Sequence, residues 1–203
     1  RKLWPKWCEV TSVEFDPKIA AVYARLYPND TLVIGDAHQY LLDHYKEFDF
    51  VWTSPPCQRH SKMNKATRNY SIRYIDGKLF EEIIFLQHYF GDKKTKGFIV
   101  ENVVPYYQIL LNPTKLGRHL FWSNFDISPI EVKQPGNFIQ QSTVAGKKLM
   151  MQWLDIHYDE NIYYGKNHCP VQILRNCVHP LIGESIFNDY CTWLNKDYTV
   201  TTP

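Results

Sequence analysis

Short runs of β-branched and aromatic residues alternate along this chain with stretches whose apolar positions recur every three or four residues. "EVTSVEFDP" begins at Glu9 as a strand that closes in acidic residues. Asp16 stands where a helix N-cap belongs and Pro17 suits the first turn, so "KIAAVYARLY" is predicted to be a helix. "TLVIGD" reads as a second strand, "AHQYLLDHYKEF" as a second helix and "DFVWTSPP" as a third strand. Pro55 and Pro56 end that strand abruptly, because proline cannot donate a ladder hydrogen bond. A helix around Leu79–Phe90 and the strand "GFIVEN" follow. This alternation predicts an α/β chain with a mainly parallel sheet covered on both faces.

After Pro113 the pattern weakens. "RHLFWSNFDI" fits one more strand, and "PLIGESIFNDYCTWL" returns to helical spacing. Between them, residues 127–172 mix Pro, Gly, Gln, Asn, Tyr and Lys without a clear period. They predict a small irregular insert, leaving 1–126 and 173–203 as one domain. No internal repeat or low-complexity tract is present.

Composition changes this picture little. The chain has 203 residues, 44% hydrophobic and 22% charged, an ordinary globular balance. A net charge of +2 is too mild to demand a polyanionic partner, so the distribution of charge matters more. Arg59, Lys62, Lys65, Arg68, Arg73 and Lys78 crowd into residues 59–78 with only Asp76 opposing them. Five cysteines, an odd number without a secretory signal, point to a reducing, cytoplasmic setting. No apolar run reaches the roughly 20 residues of a membrane span.

In an α/β sheet, ligands bind beyond the carboxyl ends of the strands. Here "VEFD", "VIGD", "TSPPCQ" and "IVEN" each end in a reactive or polar group. Singly, each has a plain structural reading. Glu14 or Asp16, and likewise Asp36, fit helix caps. Cys57 fits a small buried apolar residue, and Glu101 fits a surface ion pair.

Together they resemble the DNA cytosine 5-methyltransferase family. The specific signals are "PPCQ" and, 44 positions after Cys57, "ENV" on an apolar strand. "RNCVHPLIGESIF" resembles the family's last motif, and the likeness covers most of residues 9–125 and 172–190. The resemblance implies a Rossmann-like methyltransferase fold and S-adenosylmethionine as cofactor, with no metal. It implies that Cys57 attacks carbon 6 of a cytosine, so that carbon 5 becomes nucleophilic enough to take a methyl group. Glu101 would neutralise charge at ring nitrogen 3. In duplex DNA the base must first be flipped out. Glu14, or alternatively Asp16, would take the cofactor ribose. Phe15 would lie against the adenine and Asp36 would accept from its amino group. Pro55, Asn176 and Val178 would complete that pocket. Gln58, Arg59, Ser61, Lys62, Lys65 and Arg68 would contact DNA, with Arg59, Lys62, Lys65 and Arg68 neutralising phosphates and Gln58 and Ser61 nearer the base or its phosphate. Residues 127–172 would recognise the target, with Gln134, Asn137, Gln140, Gln141, Lys147, Lys148, Tyr163, Tyr164, Lys166 and Asn167 of suitable type but no individual role.

The chain also departs from the family. The family's Arg-x-Arg pair is reduced to Arg118, with His119 and Leu120 after it, and Arg175 replaces the glycine before Asn176. The first strand and its Gly-rich loop do not appear. "RKLWPKW" reads as the helix just after them, and a chain lacking that loop would hold the cofactor weakly by itself. His168-Cys169 and Cys177-x-His179 match no standard zinc spacing. Amino-methyltransferases put an aromatic residue where Cys57 stands. Two alternatives stay open: a tRNA cytosine 5-methyltransferase, which also carries "PPCQ" and "ENV", and a partner-dependent DNA-binding chain without independent activity. The basic loop and short insert favour DNA, in a small bacterial or phage-encoded enzyme, for which the resemblance implies a cognate restriction endonuclease as partner.

Overall fold

The computed structural model describes residues 1–62, 74–91, 93–136, 143–163 and 169–198. Its elements are β1 (Thr11–Glu14), α1 (Pro17–Leu26), β2 (Thr31–Ile34), α2 (Ala37–His44), β3 (Phe50–Thr53), α3 (Lys78–Phe90), β4 (Gly97–Val103), β5 (Thr114–Leu116), β6 (His119–Ser123), α4 (Val144–Leu154), α5 (Gln172–Asn176) and α6 (Pro180–Tyr198). They divide between two units. Residues 1–37 and 132–184 form the first, and 38–131 and 185–203 the second.

In the first unit β1 and β2 pair in parallel, Thr11 opposite Thr31 and Glu14 opposite Ile34. The crossover is α1, capped as expected: Asp16 accepts from the Lys18 amide and Pro17 occupies the first turn. Val22 of α1 shares a core with Met150 and Leu154 of α4, Tyr158, Ile162, Val171 and Leu174. Two expectations fail here. "RKLWPKW" is not a helix but two turns, closed by the Trp4 amide on the Arg1 carbonyl (3.0 Å) and the Cys8 amide on the Pro5 carbonyl (3.1 Å). Pro5 inside a helix would lack its N–H and strike the carbonyl four residues back. The 127–172 region is also not wholly irregular, because it contains α4. Its buried residues are Gly146, Lys147, Met150 and Leu154. A lysine on the inner face hides the helical period. Lys147 is held there by carbonyls of Asp159 (3.2 Å) and Glu160 (2.7 Å) and by the Tyr158 ring, 4.4 Å from its Nζ. Buried in this way, Lys147 is not placed for a phosphate.

The second unit holds a four-stranded sheet in the order β3-β4-β6-β5. β3 and β4 pair in parallel across α3, as expected of a β-α-β crossover. β6 runs antiparallel to both β4 and β5, so this sheet is mixed. Val51, Phe98, Val100, Leu120 and Trp122 line one face and meet Leu79, Ile83, Leu86 and Phe90 of α3. The spacing of those helix residues is one apolar stripe. Full burial of each such side chain stabilises by about 1.5–3 kcal/mol. On the opposite face the Phe50 ring stacks on Tyr190 of α6 with centroids 4.6 Å apart. Gly97 lies under the Tyr190 ring, and a Cβ there would sit 2.5 Å from it. Both faces are therefore covered, and β4 is buried continuously from Gly97 to Asn102. No helix among the described residues is long and apolar enough to cross a membrane.

Candidate active site

β3 stops at Thr53, and Pro56 is extended (φ −52°, ψ 120°) before a single 3₁₀ turn over Cys57–Arg59. The amides of His60 and Ser61 both donate to the Cys57 carbonyl at 3.0 Å. Next, Ser61 bridges to Pro105 and the Tyr106 amide donates to the His60 carbonyl (3.0 Å), tying the turn to the segment after β4. His60 is buried with its Nδ1 2.6 Å from the Tyr107 hydroxyl. Burial lowers the His60 pKa and raises that of Tyr107 to about 12.

The third restraint comes from β4. Asn102, buried, donates its Nδ2 to the Pro55 carbonyl (2.9 Å) and accepts the Val103 amide on its Oδ1 (2.9 Å). It fixes the residue two before Cys57. Its signal was present in "ENV", where Glu101 drew attention to itself.

Glu101 does not end its strand. β4 continues to Val103 because β6 pairs with it from Ile99 opposite Ser123 to Val103 opposite His119. Glu101 is only 5% exposed, opposite Phe121, and strand alternation puts His119 on the same face. His119 Nδ1 lies 2.5 Å from Glu101 Oε1, and its ring stacks on Phe121 (6.2 Å, 18°). His119 is a site residue that sequence reasoning passed over. Leu120, where a second arginine was sought, points into the core at 1% exposure, so no charge could stand there.

Arg118 occupies the β5–β6 reversal. Gly117, at φ +59°, is the first of its two central residues, which suits a two-residue hairpin turn. Arg118 acts on Cys57 through its charge. Burial raises the Cys57 thiol most, the Glu101 charge raises it further, and the Arg118 charge lowers it. Cys57, Glu101 and Arg118, predicted from sequence, therefore come together. All five cysteines are free thiols.

The cofactor candidates fall mostly in the first unit. Glu14 ends β1 and its Oε1 accepts the Asp16 amide (2.9 Å), while Asp16 is committed to the α1 cap. Each carboxylate thus already accepts one backbone amide. Phe15 exposes 77% of its surface, an apolar ring uncovered at a strand end. Asp36 is exposed two residues beyond β2. A paired carboxylate end, an open aromatic face and a second carboxylate fit an adenosine's hydroxyl, ring and amino groups. Asn176 closes α5 and accepts from Gln172 (3.0 Å), and Val178 is half-buried two residues on. Pro55 belongs to the second unit.

Gln58, Arg59 and Lys62 are exposed and Ser61 is half-buried, whereas Lys65 and Arg68 lie outside the described residues. Among the polar types of the insert, Gln134, Lys148 and Tyr163 are exposed; Asn137, Gln140, Gln141, Tyr164, Lys166 and Asn167 lie outside the described residues. Among the described residues no group of three or more His, Cys, Asp and Glu could hold a metal ion.

The second unit is an α/β layer in which a cysteine turn follows β3 and a buried carboxyl lies on the neighbouring β4. The family model for C-5 cytosine-specific DNA methylases matches residues 7–108, half of the chain, spanning Glu14, Asp36, Cys57 and Glu101. The chain belongs to that family, whose activity class is methyl transfer to cytosine carbon 5. No curated protein matches it.

Proposed function

We propose that this protein methylates carbon 5 of a flipped-out cytosine in duplex DNA, using S-adenosylmethionine and a covalent adduct on Cys57. The observation that carries the reading is the convergence of Cys57, Glu101 and Arg118 at one end of the second unit's sheet. The Cys57 thiolate adds to carbon 6, and Glu101 holds a proton at ring nitrogen 3 as electrons move onto the ring. Arg118 supplies positive charge that favours the thiolate. When bound, S-adenosylmethionine supplies the methyl group. Loss of the carbon 5 proton then lets the thiolate leave and the ring regain its double bond. Glu14, Phe15 and Asp36 would hold the ribose and adenine, with Asn176 and Val178 of the same unit; Pro55, in the second unit, is the remaining cofactor candidate. Gln58, Arg59, Ser61 and Lys62, with Lys65 and Arg68, would meet the DNA backbone and target base. Residues 127–172 would carry target recognition.

The test is incubation with labelled S-adenosylmethionine and a duplex containing 5-fluorocytosine, whose carbon 5 carries no removable proton. The expected result is a covalent adduct of wild-type protein that is lost in Cys57→Ser. An adduct with 5-fluorocytosine tRNA and none with DNA would replace the DNA substrate by RNA. An adduct that survives Cys57→Ser would overturn the mechanism.

A further inference from the structure

His60 is held from three directions. Its amide closes the 3₁₀ turn on the Cys57 carbonyl, and its carbonyl accepts the Tyr106 amide, both at 3.0 Å. Its imidazole, on a residue only 1% exposed, puts Nδ1 2.6 Å from the Tyr107 hydroxyl. The ring also meets Phe80 edge-on (6.4 Å, 85°), and Phe80 meets the Tyr107 ring (6.4 Å, 58°). All of these residues lie in the second unit.

As packing alone, a histidine is a poor choice at this place. Neutral imidazole carries one donor and one acceptor. Nε2 is buried without a hydrogen-bond partner among the described residues, so the ring makes one bond where it could make two. A phenylalanine would fill the same space beside Phe80 and leave no nitrogen unpaired. What the histidine adds is direction. Apolar contact is non-directional, whereas a hydrogen bond weakens steeply as its angle opens. The Tyr107 hydroxyl therefore sets the rotation of a side chain whose own backbone closes the turn on Cys57. Ser61, bridged to Pro105, extends the same link. Asn102, on the Pro55 carbonyl, holds the other end of the turn. Cys57 thus lies between two anchors, both supplied by residues 102–107.

We propose that His60 and Tyr107 are positioning residues for Cys57, their hydrogen bond holding the turn so that the thiol meets carbon 6 of the base at a fixed approach. The inference rests on the reading of Cys57 as the attacking group. Attack on a held base needs the reacting atoms close and aligned, and a shift of about 1 Å costs up to roughly 100-fold. Alkylation by a small free reagent needs no such alignment. Loss of the hydrogen bond should therefore slow the first reaction and spare the second.

The test compares wild type with the double variant His60→Phe/Tyr107→Phe, which removes both polar groups and keeps both rings. Removing the partners together leaves neither orphaned, so the thermal midpoint near neutral pH should equal or exceed that of wild type. Backbone amide exchange, followed by mass spectrometry, should nevertheless be faster in the peptide Pro55–Ser61, where the His60 and Ser61 amides donate to the Cys57 carbonyl. With a saturating 5-fluorocytosine duplex and S-adenosylmethionine, the covalent adduct should form roughly three- to tenfold more slowly, while duplex affinity, read by fluorescence anisotropy, does not change. Iodoacetamide alkylation of Cys57, quantified on its own peptide so that the other four cysteines do not contribute, should not fall. Unchanged exchange, or an unchanged adduct rate, would overturn the proposal. So would alkylation that falls as far as the adduct rate, since the loss would then be one of thiol reactivity and not of aim. If the double variant does not fold, Tyr107→Phe, which removes a single hydroxyl, is judged by the same readings. Faster exchange in the variant with no adduct of the wild-type protein would keep the anchor and remove the methyltransferase reading; a wild-type adduct whose rate the variant shares would do the reverse.

Discussion

Two neighbouring carboxylates, Glu14 and Asp16, are candidates for one role, and each already accepts a backbone amide. Asp16 accepts the Lys18 amide at the start of α1, whereas Glu14 ends β1 beside an exposed Phe15. Asp16→Ala should therefore cost about 1 kcal/mol in urea unfolding, the usual value of an N-cap. Glu14→Gln keeps an oxygen for the Asp16 amide and removes the charge. It should leave stability unchanged and weaken S-adenosylmethionine binding by about tenfold or more in calorimetry, since hydrogen bonds to charged groups carry about 1.5–3 kcal/mol. Equal loss of affinity in both variants would return the role to Asp16. Cys57 and Glu101 were legible because their chemistry is rare in those positions. Asn102 and His119 were not, because each matters through a partner distant in sequence: Pro55 for one and Glu101 for the other.

Elements were legible where a single period governed them. The strands before Glu14, Ile34 and Thr53 and the helix stripe of α3 could be read directly. Helix α4 could not, since its inner face includes Lys147. The β5–β6 hairpin was equally hidden, although Gly117 marks it. A Cβ at Gly117 would meet nothing within 4 Å, so a substitution there meets backbone strain and no clash. Gly117→Ala should cost about 1–2 kcal/mol in urea unfolding, and Gly117→Asn distinctly less, because asparagine tolerates the left-handed region. If the two cost the same, the positive φ does not explain the glycine. Because Arg118 is the next residue, Gly117→Ala should also slow Cys57 alkylation.

At the scale of the whole molecule, the burial of His60 makes stability depend on pH. The folded pKa of His60 is lowered by burial, while an unfolded histidine titrates near pH ~6.5. Its contribution is fully present above that value and is lost as pH falls through the lower folded value. Thermal midpoints should fall between about pH 7 and pH 5, and fall less in His60→Phe, which keeps the ring contact with Phe80 and cannot titrate. An unchanged acid dependence in His60→Phe would assign the loss to other groups.

The sequence by itself determined the order of strands and helices from β1 to β4, the acidic ends of β1 and β2, and the cysteine behind two prolines. Those depend on local backbone limits and on side-chain period, which are written in neighbouring residues. The tertiary structure alone decided that Leu120 faces the core while His119 faces Glu101, that Asn102 reaches the Pro55 carbonyl, and that Lys147 turns inward. Each depends on strand register or on a contact across many residues, and a one-residue change of register would send every side chain of β6 to the opposite face.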